Sequence, residues 1–282
     1  MLVIYNPTSG RGKGQKIAER FRQYLYEQSI EARFEESDPV SGIAHQPASG
    51  EDVVIIGGDG TFNVAINQLK YQDNTIGFIP AGTGNDFVKM LDIGRSERDY
   101  FDRATAGSSR RIDVGVCNDR LFLNGVGVGF DGQIVAEMQK HKKWLSGHAA
   151  YYYEVLSILS TYRERDFQFQ LDGRAREASL ILLTIGNGTT FGGGFRLTPH
   201  ADLTDGLLDV CEIGKISSLR RYLNVPRLQK GSHEVLKAVT MHRVKELIIE
   251  ANPLLNAHID GEFMGTPPFH LKVLPGYLKV RG

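Results

Sequence analysis

Three short loops near the start of the chain combine glycine with hydroxyl, amide and carboxylate side chains. They read NPTSG (6–10), GGDGTFN (57–63) and AGTGND (81–86), and each follows a short apolar run. Glycine permits positive φ and lets backbone N–H groups approach a ligand closely. A helix that begins after such a loop adds the positive end of its dipole. These residue types therefore predict phosphate binding.

Two aspartates, Asp59 and Asp86, lie in these loops. If the loops gather at one edge of a parallel sheet, both carboxylates become candidates for holding Mg²⁺ beside the phosphates. The alternative is that each aspartate only caps the helix that follows it. A Walker A loop does not fit, because Pro7 stands where that pattern needs a glycine before Gly12.

A parallel sheet is needed to bring the loops together, and the first hundred or so residues alternate strands and helices as such a sheet does. Ile17, Phe21 and Leu25 share one helical face. We predict strands at LVIY, EARFE, DVVII and TIGFIP, and helices over 15–28, 63–69 and 87–91.

The pattern changes after about Arg111, where strand-like segments become dominant. The predicted fold is a Rossmann-like α/β nucleotide-binding domain over 1–111, followed by a β-sandwich domain over 112–274. A final strand at about 275–282, YLKVRG, is expected to pack near the first domain. The predicted strands are IDVGVCN and RLFLNGVGVG, as a hairpin around 118–119, then FQFQLDG, EASLILLTIGNG, GLLDVCEI, KELIIEA, NAHIDGE and FHLKVLPG; helical segments are predicted over 132–162 and 217–229.

The composition narrows the function classes. Lysine plus arginine equals aspartate plus glutamate, 33 each, so no global field favours nucleic acid. Cys117 and Cys211 lie in apolar runs, which predicts buried thiols and a reducing, cytoplasmic compartment. No run approaches the roughly 18 apolar residues of a membrane span. We therefore expect a soluble protein whose contact with lipid is peripheral and transient, at the inner face of the membrane.

Two further segments each allow two interpretations. Gly127, Gly129 and Gly132 form a G-x-G-x-x-G pattern, but it follows a hairpin arm in mid-chain, so it is weak evidence for a dinucleotide site. The basic segment KHKKW (140–144) precedes a run rich in tyrosine and leucine. It is either a membrane anchor at headgroup level or a set of solvated lysines before an ordinary helix pair.

Taken together, the motifs resemble the diacylglycerol kinase catalytic-domain family, and its soluble bacterial lipid kinases most of all; these are related to sphingosine and ceramide kinases. The resemblance covers nearly the whole chain. It implies ATP and Mg²⁺ as cofactors, a membrane lipid as substrate, and catalysis in a cleft between the two domains. The motifs that carry it are NPTSG, GGDGTFN, PAGTGNDF, RRIDVG, IGNGTTFGGGFRLTPHADLTDGLLDV and HIDGE, in that order.

The resemblance also implies roles for individual residues. Asp59, Asp86 and Asp113 would belong to a Mg²⁺–water network, with Asp59 and Asp113 part of the catalytic set, and Glu262 would be the general base. A structural metal would be bound by Asp205, with carbonyl groups from Asp202 and Leu207. The residues expected to bind the ATP phosphates are Asn6, Pro7, Thr8, Ser9, Gly10, Gly57, Gly58, Asp59, Gly60, Thr61, Phe62, Asn63 and Thr83.

One departure from the family concerns a threonine that binds ATP after the second strand in some members. The corresponding segment, EESDPVSG, has no threonine, and Ser37 is the candidate replacement.

Two other functions stay open at this point: an NAD kinase-like phosphotransferase, which has a similar GGDGT run, and an inactive regulator that binds a nucleotide or a lipid. The acceptor lipid, whether diacylglycerol, phosphatidylglycerol, a prenol or a sphingoid base, is equally open. So is the choice between monomer and homodimer.

Overall fold

The computed structural model describes residues 1–38, 42–70, 73–140 and 148–282. They fall into two compact units, Met1–Asp113 with Gly276–Gly282, and Val114–Pro275. The helices are α1 (Ser9–Glu27), α2 (Asp59–Gln68), α3 (Glu97–Ala106), α4 (Phe130–Lys140), α5 (His148–Leu159) and α6 (Ser218–Lys230). The strands are β1 (Leu2–Tyr5), β2 (Arg33–Glu36), β3 (Val53–Gly57), β4 (Thr75–Pro80), β5 (Ser109–Cys117), β6 (Arg120–Phe122), β7 (Gly125–Gly129), β8 (Arg165–Leu171), β9 (Arg174–Leu180), β10 (Leu182–Gly186), β11 (Leu208–Ile213), β12 (Val239–Val244), β13 (Glu246–Ile249), β14 (Ala257–Ile259), β15 (Glu262–Gly265) and β16 (Phe269–Arg281).

The first unit is built on a parallel sheet in the order β2-β1-β3-β4. Lys279 and Val280 of β16 extend it by pairing in parallel with β4. The strands β1, β3 and β4 are buried along their whole length, which explains their continuous apolar sequences. Helix α1 packs Phe21 on one face of the sheet. On the other face Phe62 of α2 meets Phe78 edge to face, with ring centroids 5.0 Å apart.

The strands of this unit are confirmed, but two of its helices differ from the prediction. Helix α2 begins at Asp59, inside the glycine loop, and not at residue 63. The helix expected over 87–91 is only a short 3-10 turn, Val88–Met90. Helix α3 was not predicted, although Ser96 and Asp99 form a capping box at its start.

The second unit contains two facing sheets, as the sandwich prediction requires. One is six-stranded, in the order β12-β11-β10-β7-β14-β15. The other contains β13, β8 and β9 with the first residues of β16. One core unites inward residues of both sheets, including Val128 and Ile185 from the first and Phe167 and Leu247 from the second. Helices α4, α5 and α6 contribute to a second core with the six-stranded sheet.

Several strand predictions in this unit were wrong in detail. The run RLFLNGVGVG is not one hairpin arm, because β6 pairs with β5 whereas β7 lies in the six-stranded sheet. The run EASLILLTIGNG likewise forms β9 and β10 in different sheets. FHLKVLPG and YLKVRG form one strand, β16, and strand β12 was not predicted. The helical region over 132–162 contains α4 and α5.

Two predictions about burial and hydropathy can be compared with the structure. Cys117 and Cys211 are both free thiols in the interior, as expected. Across the residues that the structure describes, no helix has the length and hydropathy needed to cross a membrane.

Candidate active site

The three polar loops of the first unit leave the sheet at the same edge. Parallel pairing sets Tyr5 opposite Ile56 and Gly57 opposite Pro80, so β1, β3 and β4 end level with one another. Backbone hydrogen bonds then join the loops: the Ala81 N–H donates to the carbonyl oxygen of Gly57 at 2.6 Å. The sequence-based prediction that these loops meet is therefore confirmed by the pairing.

Side chains tie the first loop to the start of α2. The Asn6 amide oxygen accepts hydrogen bonds from the N–H and the hydroxyl of Thr8, at 3.0 and 2.9 Å. The Asn6 amide nitrogen donates to Thr61 Oγ1 at 3.3 Å, and Ser9 Oγ lies 3.4 Å from the same atom. Asn6 and Thr61 are buried. The NPTSG loop is thus fixed in place before any ligand binds.

The backbone that follows this loop is left-handed over three residues. Gly10, Arg11 and Gly12 have φ values of 57°, 61° and 89°. For Arg11 this conformation is unusual, and such strain clusters at ligand sites. A Cβ on Gly10 would lie 2.1 Å from the carbonyl oxygen of Ala81, so only glycine allows the first and third loops to approach this closely.

The third loop folds back on the start of α2 through a pair of glycines. Gly58 is the N-cap residue of α2, and a Cβ on Gly82 would lie 2.5 Å from its Cα. Asn85 holds Gly82 there, because its side chain accepts from the Gly82 N–H and donates to the Gly82 carbonyl, both at 3.0 Å. Asn85 was not among the predicted site residues. Its φ of 51° is a conformation that asparagine tolerates better than most residues.

Asp59 is the first residue of α2, and its carboxylate binds the third loop. It accepts hydrogen bonds from the N–H groups of Asp86 and Phe87, both at 3.1 Å. Burial raises the pKa of Asp59, and the negative charge of Asp86 raises it further, whereas the Phe87 N–H lowers it. The first N–H groups of α2 have no partners within the helix. This edge therefore combines helix-terminal donors with two neighbouring carboxylates.

The other predicted residues of the first unit have separate surroundings. Thr83 is exposed, whereas Phe62 is fully buried against Phe78. Ser37 follows β2, and its N–H donates to the Tyr5 carbonyl at 2.8 Å, which sets it at the same edge. Asp113 is buried and accepts from the Gly276 N–H at 2.7 Å.

Acidic side chains do not gather into a preformed metal cage in the described parts of the chain. No group of three or more His, Cys, Asp or Glu residues there could hold an ion by itself. Asp86 is 5% exposed and pairs with Lys89 at 2.7 Å.

In the second unit, the turn between β14 and β15 carries two carboxylates with different surroundings. Asp260 accepts from the N–H groups of Leu123, Asn124 and Gly125, at 2.8, 2.9 and 2.9 Å. Glu262 opens β15, and its side chain is 46% exposed in an ion pair with Arg120. Asp260 therefore holds the backbone that precedes β7, while Glu262 projects from the turn.

The loop predicted to bind a structural metal uses its carboxylates within the protein. Asp202 accepts from the N–H and hydroxyl of Thr204, at 2.9 and 2.7 Å. Asp205 accepts from the Leu207 N–H at 2.9 Å and forms an ion pair with Arg243. The positive charge of Arg243 thus lies beside the carboxylate of Asp205. The structural ion stays a prediction.

Comparison with known proteins identifies the family. Residues 1–117 match the family model of the diacylglycerol kinase catalytic domain, and residues 124–282 match that of the YegS C-terminal NAD kinase beta sandwich-like domain. A diacylglycerol kinase of Mycobacterium tuberculosis is 31% identical, over 99% of this chain and 94% of that protein. The chain belongs to the diacylglycerol kinase family.

Other members of the diacylglycerol kinase family agree with this assignment. A diacylglycerol kinase of Bacillus subtilis (strain 168) is 29% identical over 94% of this chain and 90% of its own length. A solved structure of a diacylglycerol kinase from Bacillus anthracis superposes with a TM-score of 0.74, at 21% identity, over 99% of this chain and 95% of that one. At that identity the likeness is one of fold, and it agrees with an α/β unit joined to a β-sandwich unit.

In this family member the G-x-G-x-x-G pattern serves packing. Gly127 lies in an antiparallel strand, and a Cβ there would be 2.4 Å from His258 Nε2. A Cβ on Gly132 would be 2.0 Å from the carbonyl oxygen of Asn256. The glycines thus admit close neighbours on a sheet and a helix, and they form no loop at the end of a parallel strand.

A row of buried polar residues that was not predicted surrounds Gly127. Thr184 and His258 flank Gly127 in register on the neighbouring strands. The Thr184 hydroxyl donates to Asp131 at 3.0 Å. Burial raises the pKa of Asp131 to about 6 and lowers that of His258 to about 4. The sequence signal that could have identified this row is the occurrence of polar residues within otherwise apolar runs.

Most of the basic segment over 140–144 lies outside the described residues. Lys140 is the last residue of α4, and residues 141–147 lie outside the described part of the chain. The membrane-anchor interpretation of this segment stays a prediction.

Proposed function

We propose that this protein is an ATP- and Mg²⁺-dependent lipid kinase that transfers the γ-phosphoryl group to a hydroxyl of a membrane lipid, with diacylglycerol as the acceptor. The observation that carries the proposal is the meeting of three glycine-bearing polar loops at one sheet edge, beside the start of α2. Membership of the diacylglycerol kinase family, and the names of the relatives, support the choice of acceptor.

Binding of the ATP phosphates is assigned to the first unit. The proposed ligands are backbone and side-chain donors of loops 6–10 and 57–63, with Thr83. Phosphoryl transfer depends mainly on positioning and charge stabilisation, and preformed N–H donors supply both. The cross-links made by Asn6, Asn85 and Asp59 support this assignment, because they hold the loops in place without a ligand.

Asp59 and Asp86 fit a magnesium ion. Mg²⁺ in kinases is usually held by one or two carboxylates together with substrate phosphates, so a full protein cage is not required. Burial raises the pKa of Asp59 and the negative charge of Asp86 raises it further, while the positive charge of Lys89 lowers it. A cation beside the two carboxylates would likewise favour the charged form of Asp59. Asp113 is proposed as a further member of this network. When bound, the ion would offset negative charge on the phosphates.

The second unit is proposed to supply the general base. Glu262 is the better candidate of the two carboxylates in its turn, because Asp260 is engaged with three backbone N–H groups. Glu262 is half-exposed, and the side chain of its ion-pair partner Arg120 is 35% exposed. Glu262 would accept the proton of the acceptor hydroxyl as phosphoryl transfer proceeds. Asp260 would position the turn.

An acceptor competition tests this proposal. The protein is incubated with γ-labelled ATP, Mg²⁺ and an equimolar mixture of diacylglycerol, phosphatidylglycerol and NAD, and the products are separated. We expect the label in phosphatidic acid. Label in NADP would favour the NAD kinase-like alternative, which the description of the second matched domain keeps in view. Absence of label from every acceptor would favour a regulator without kinase activity.

A further inference from the structure

Helices α5 and α6 together expose an unusual number of large apolar side chains. Their exposed fractions are 60% for Tyr153, 45% for Leu156, 73% for Leu219, 38% for Tyr222 and 67% for Leu223. These five residues define the α5–α6 patch. Among the exposed large hydrophobic side chains that the structure describes, the others, Tyr26, Val235 and Leu254, lie outside α5 and α6. A concentration of exposed apolar side chains on two packed helices indicates an interaction surface.

The outer face of α6 is apolar although its inner face already packs. Leu219, Tyr222 and Leu223 follow the i, i+3, i+4 spacing of one helical face. Val225 and Leu228 lie on the opposite side and pack against the core beneath the helix. The outer leucines therefore contribute nothing to that core, and folding alone gives no reason for them.

Hydrogen bonds join the two helices that carry the patch. Arg221, 8% exposed, donates to the carbonyl oxygens of Leu159 and Ile216, at 2.9 and 2.8 Å, and pairs with Glu164 at 3.2 Å. Its charge thereby caps the negative end of the α5 dipole. The Tyr222 hydroxyl donates to the Leu156 carbonyl at 3.0 Å. Arg221 and Tyr222 of α6 thus each donate a hydrogen bond to a backbone carbonyl of α5.

The exposed charged side chains of α6 are all positive. Helix α6 contains no acidic residue, and its exposed cations are Arg220, Arg227 and Lys230. Leucine and tyrosine bordered by arginine and lysine are the composition of a helix that lies in a lipid headgroup region. A symmetric contact with a second copy is disfavoured, because it would bring these cations together.

We propose that the α5–α6 patch docks the protein on an anionic membrane, with its leucines in the headgroup boundary and its cations on acidic lipid. The inference rests on the proposed function, because a kinase whose acceptor is a membrane lipid must work at the bilayer surface. It places the membrane contact on residues other than the basic segment over 140–144.

Vesicle co-sedimentation tests the apolar part of the surface. The full-length protein is mixed with phosphatidylcholine vesicles that contain or lack phosphatidylglycerol. We expect Leu219→Gln/Leu223→Gln to bind the anionic vesicles at least about tenfold more weakly, since two leucine side chains lose their burial. The matched control is Tyr26→Gln/Leu254→Gln, which removes two side chains that are 81% and 61% exposed elsewhere and should bind like wild type.

A charge variant tests the electrostatic part. Arg220→Gln/Arg227→Gln should weaken binding to anionic vesicles about tenfold or more at low salt, because each cation near such a surface contributes about fivefold in affinity. Binding to vesicles of phosphatidylcholine alone should change little. Equal binding of wild type and both patch variants, or no binding of wild type to anionic vesicles, would overturn the proposal.

Kinase assays separate this inference from the proposed function. The leucine variant should phosphorylate vesicle-embedded diacylglycerol poorly but retain the wild-type rate on a short-chain diacylglycerol below its aggregation concentration. If wild type phosphorylates neither, the proposed function fails, while vesicle binding still decides the docking surface. If gel filtration shows that the leucine variant only converts a dimer to a monomer, with vesicle binding intact, the patch is a contact between copies and the proposal is wrong.

Discussion

Asp59 in the first unit and Asp260 in the second occur in the same local sequence, an aspartate followed by glycine after an apolar strand. Both carboxylates accept backbone N–H groups from a distant part of the chain. They differ in what lies beside them. Asp59 begins a helix next to the buried carboxylate of Asp86, whereas Asp260 lies in a tight turn two residues before the exposed Glu262.

The two aspartates thus have different surroundings, and we expect them to have different roles. At Asp59, burial and a neighbouring negative charge raise the pKa, so a bound cation would relieve an unfavourable interaction. Asp260 satisfies three donors and thereby fixes the turn from which Glu262 projects. We therefore expect Asp59 to act directly in the reaction. We expect Asp260 to act indirectly, by positioning Glu262.

The largest effect is expected at the Asp59 loop from Gly58→Val. The φ of Gly58, −106°, is accessible to any residue, so the constraint is space: a Cβ there lies 3.0 Å from the Cα of Gly82. The added side chain should separate the two loops and abolish ATP binding in calorimetric titration. The control is Gly214→Val, where a Cβ meets its nearest neighbours at 3.6 and 3.8 Å. Wild-type ATP affinity in folded Gly58→Val would remove this loop from the site.

Replacement of Asp59 itself should affect turnover more than binding. Asp59→Asn removes one negative charge and turns an amide N–H₂ toward the backbone donors of the third loop. We expect kcat at saturating ATP and Mg²⁺ to fall at least about 10²-fold, the scale of losing one stabilising group at a transferring centre. Measurement of kcat across a Mg²⁺ titration checks this. Near-normal turnover would count against a direct role for Asp59.

Asp260→Asn should act mainly on stability. The asparagine side chain offers one acceptor oxygen where the carboxylate offers two, so at least one buried N–H loses its partner. That costs about 1–3 kcal/mol in the free energy of unfolding. Urea unfolding measures it, and the remaining activity of the folded fraction should exceed that of Asp59→Asn. A variant with full stability and no turnover would make Asp260 a reacting group after all.

The smallest effect is expected on stability, from Asp131. This buried carboxylate lies apart from both Asp59 and Asp260. Its pKa is raised from 3.8 to about 6, so the folded state binds this proton more tightly than the unfolded state. The contribution to stability is complete below about pH 4 and is lost as the pH rises through about 6. Asp131→Asn should therefore be more stable than wild type at pH 8, on the order of 1–3 kcal/mol, with the difference vanishing near pH 4.

Thermal unfolding at several pH values checks the Asp131 prediction. The matched control is Asp166→Asn, which changes an exposed carboxylate on β8. A difference between Asp131→Asn and wild type that is the same at every pH would contradict the burial argument.

Much of the first unit could be predicted because its strands are buried on both faces and read as unbroken apolar runs. The start of α2 was misplaced because GGDGT has the composition of a turn, yet the helix begins at its aspartate. In the second unit, consecutive strands such as β9 and β10 belong to different sheets without an intervening turn signal. The local pattern of apolar and polar residues does not indicate that the next strand pairs in a different sheet.

The candidate active site could likewise be predicted only in part. The loops and their carboxylates could be predicted from residue type and from the rule that parallel strands end at one edge. Two features could not be predicted: the hydrogen bonds between Asn85 and Gly82, and the three hydrogen bonds that Asp260 accepts. Both depend on contacts that form only after folding. Asp260 and its donors are 135 to 137 residues apart in sequence.

The most direct test is the rate of phosphoryl transfer in Glu262→Gln, measured in single turnover with labelled ATP and diacylglycerol, together with ATP affinity by calorimetry. If the second unit supplies the base and the first unit holds the phosphates, Glu262→Gln should bind ATP with unchanged affinity. Its phosphoryl transfer should be at least about 10²-fold slower than that of wild type. Transfer at the wild-type rate would contradict the account, since Glu262 would then be only a surface partner of Arg120.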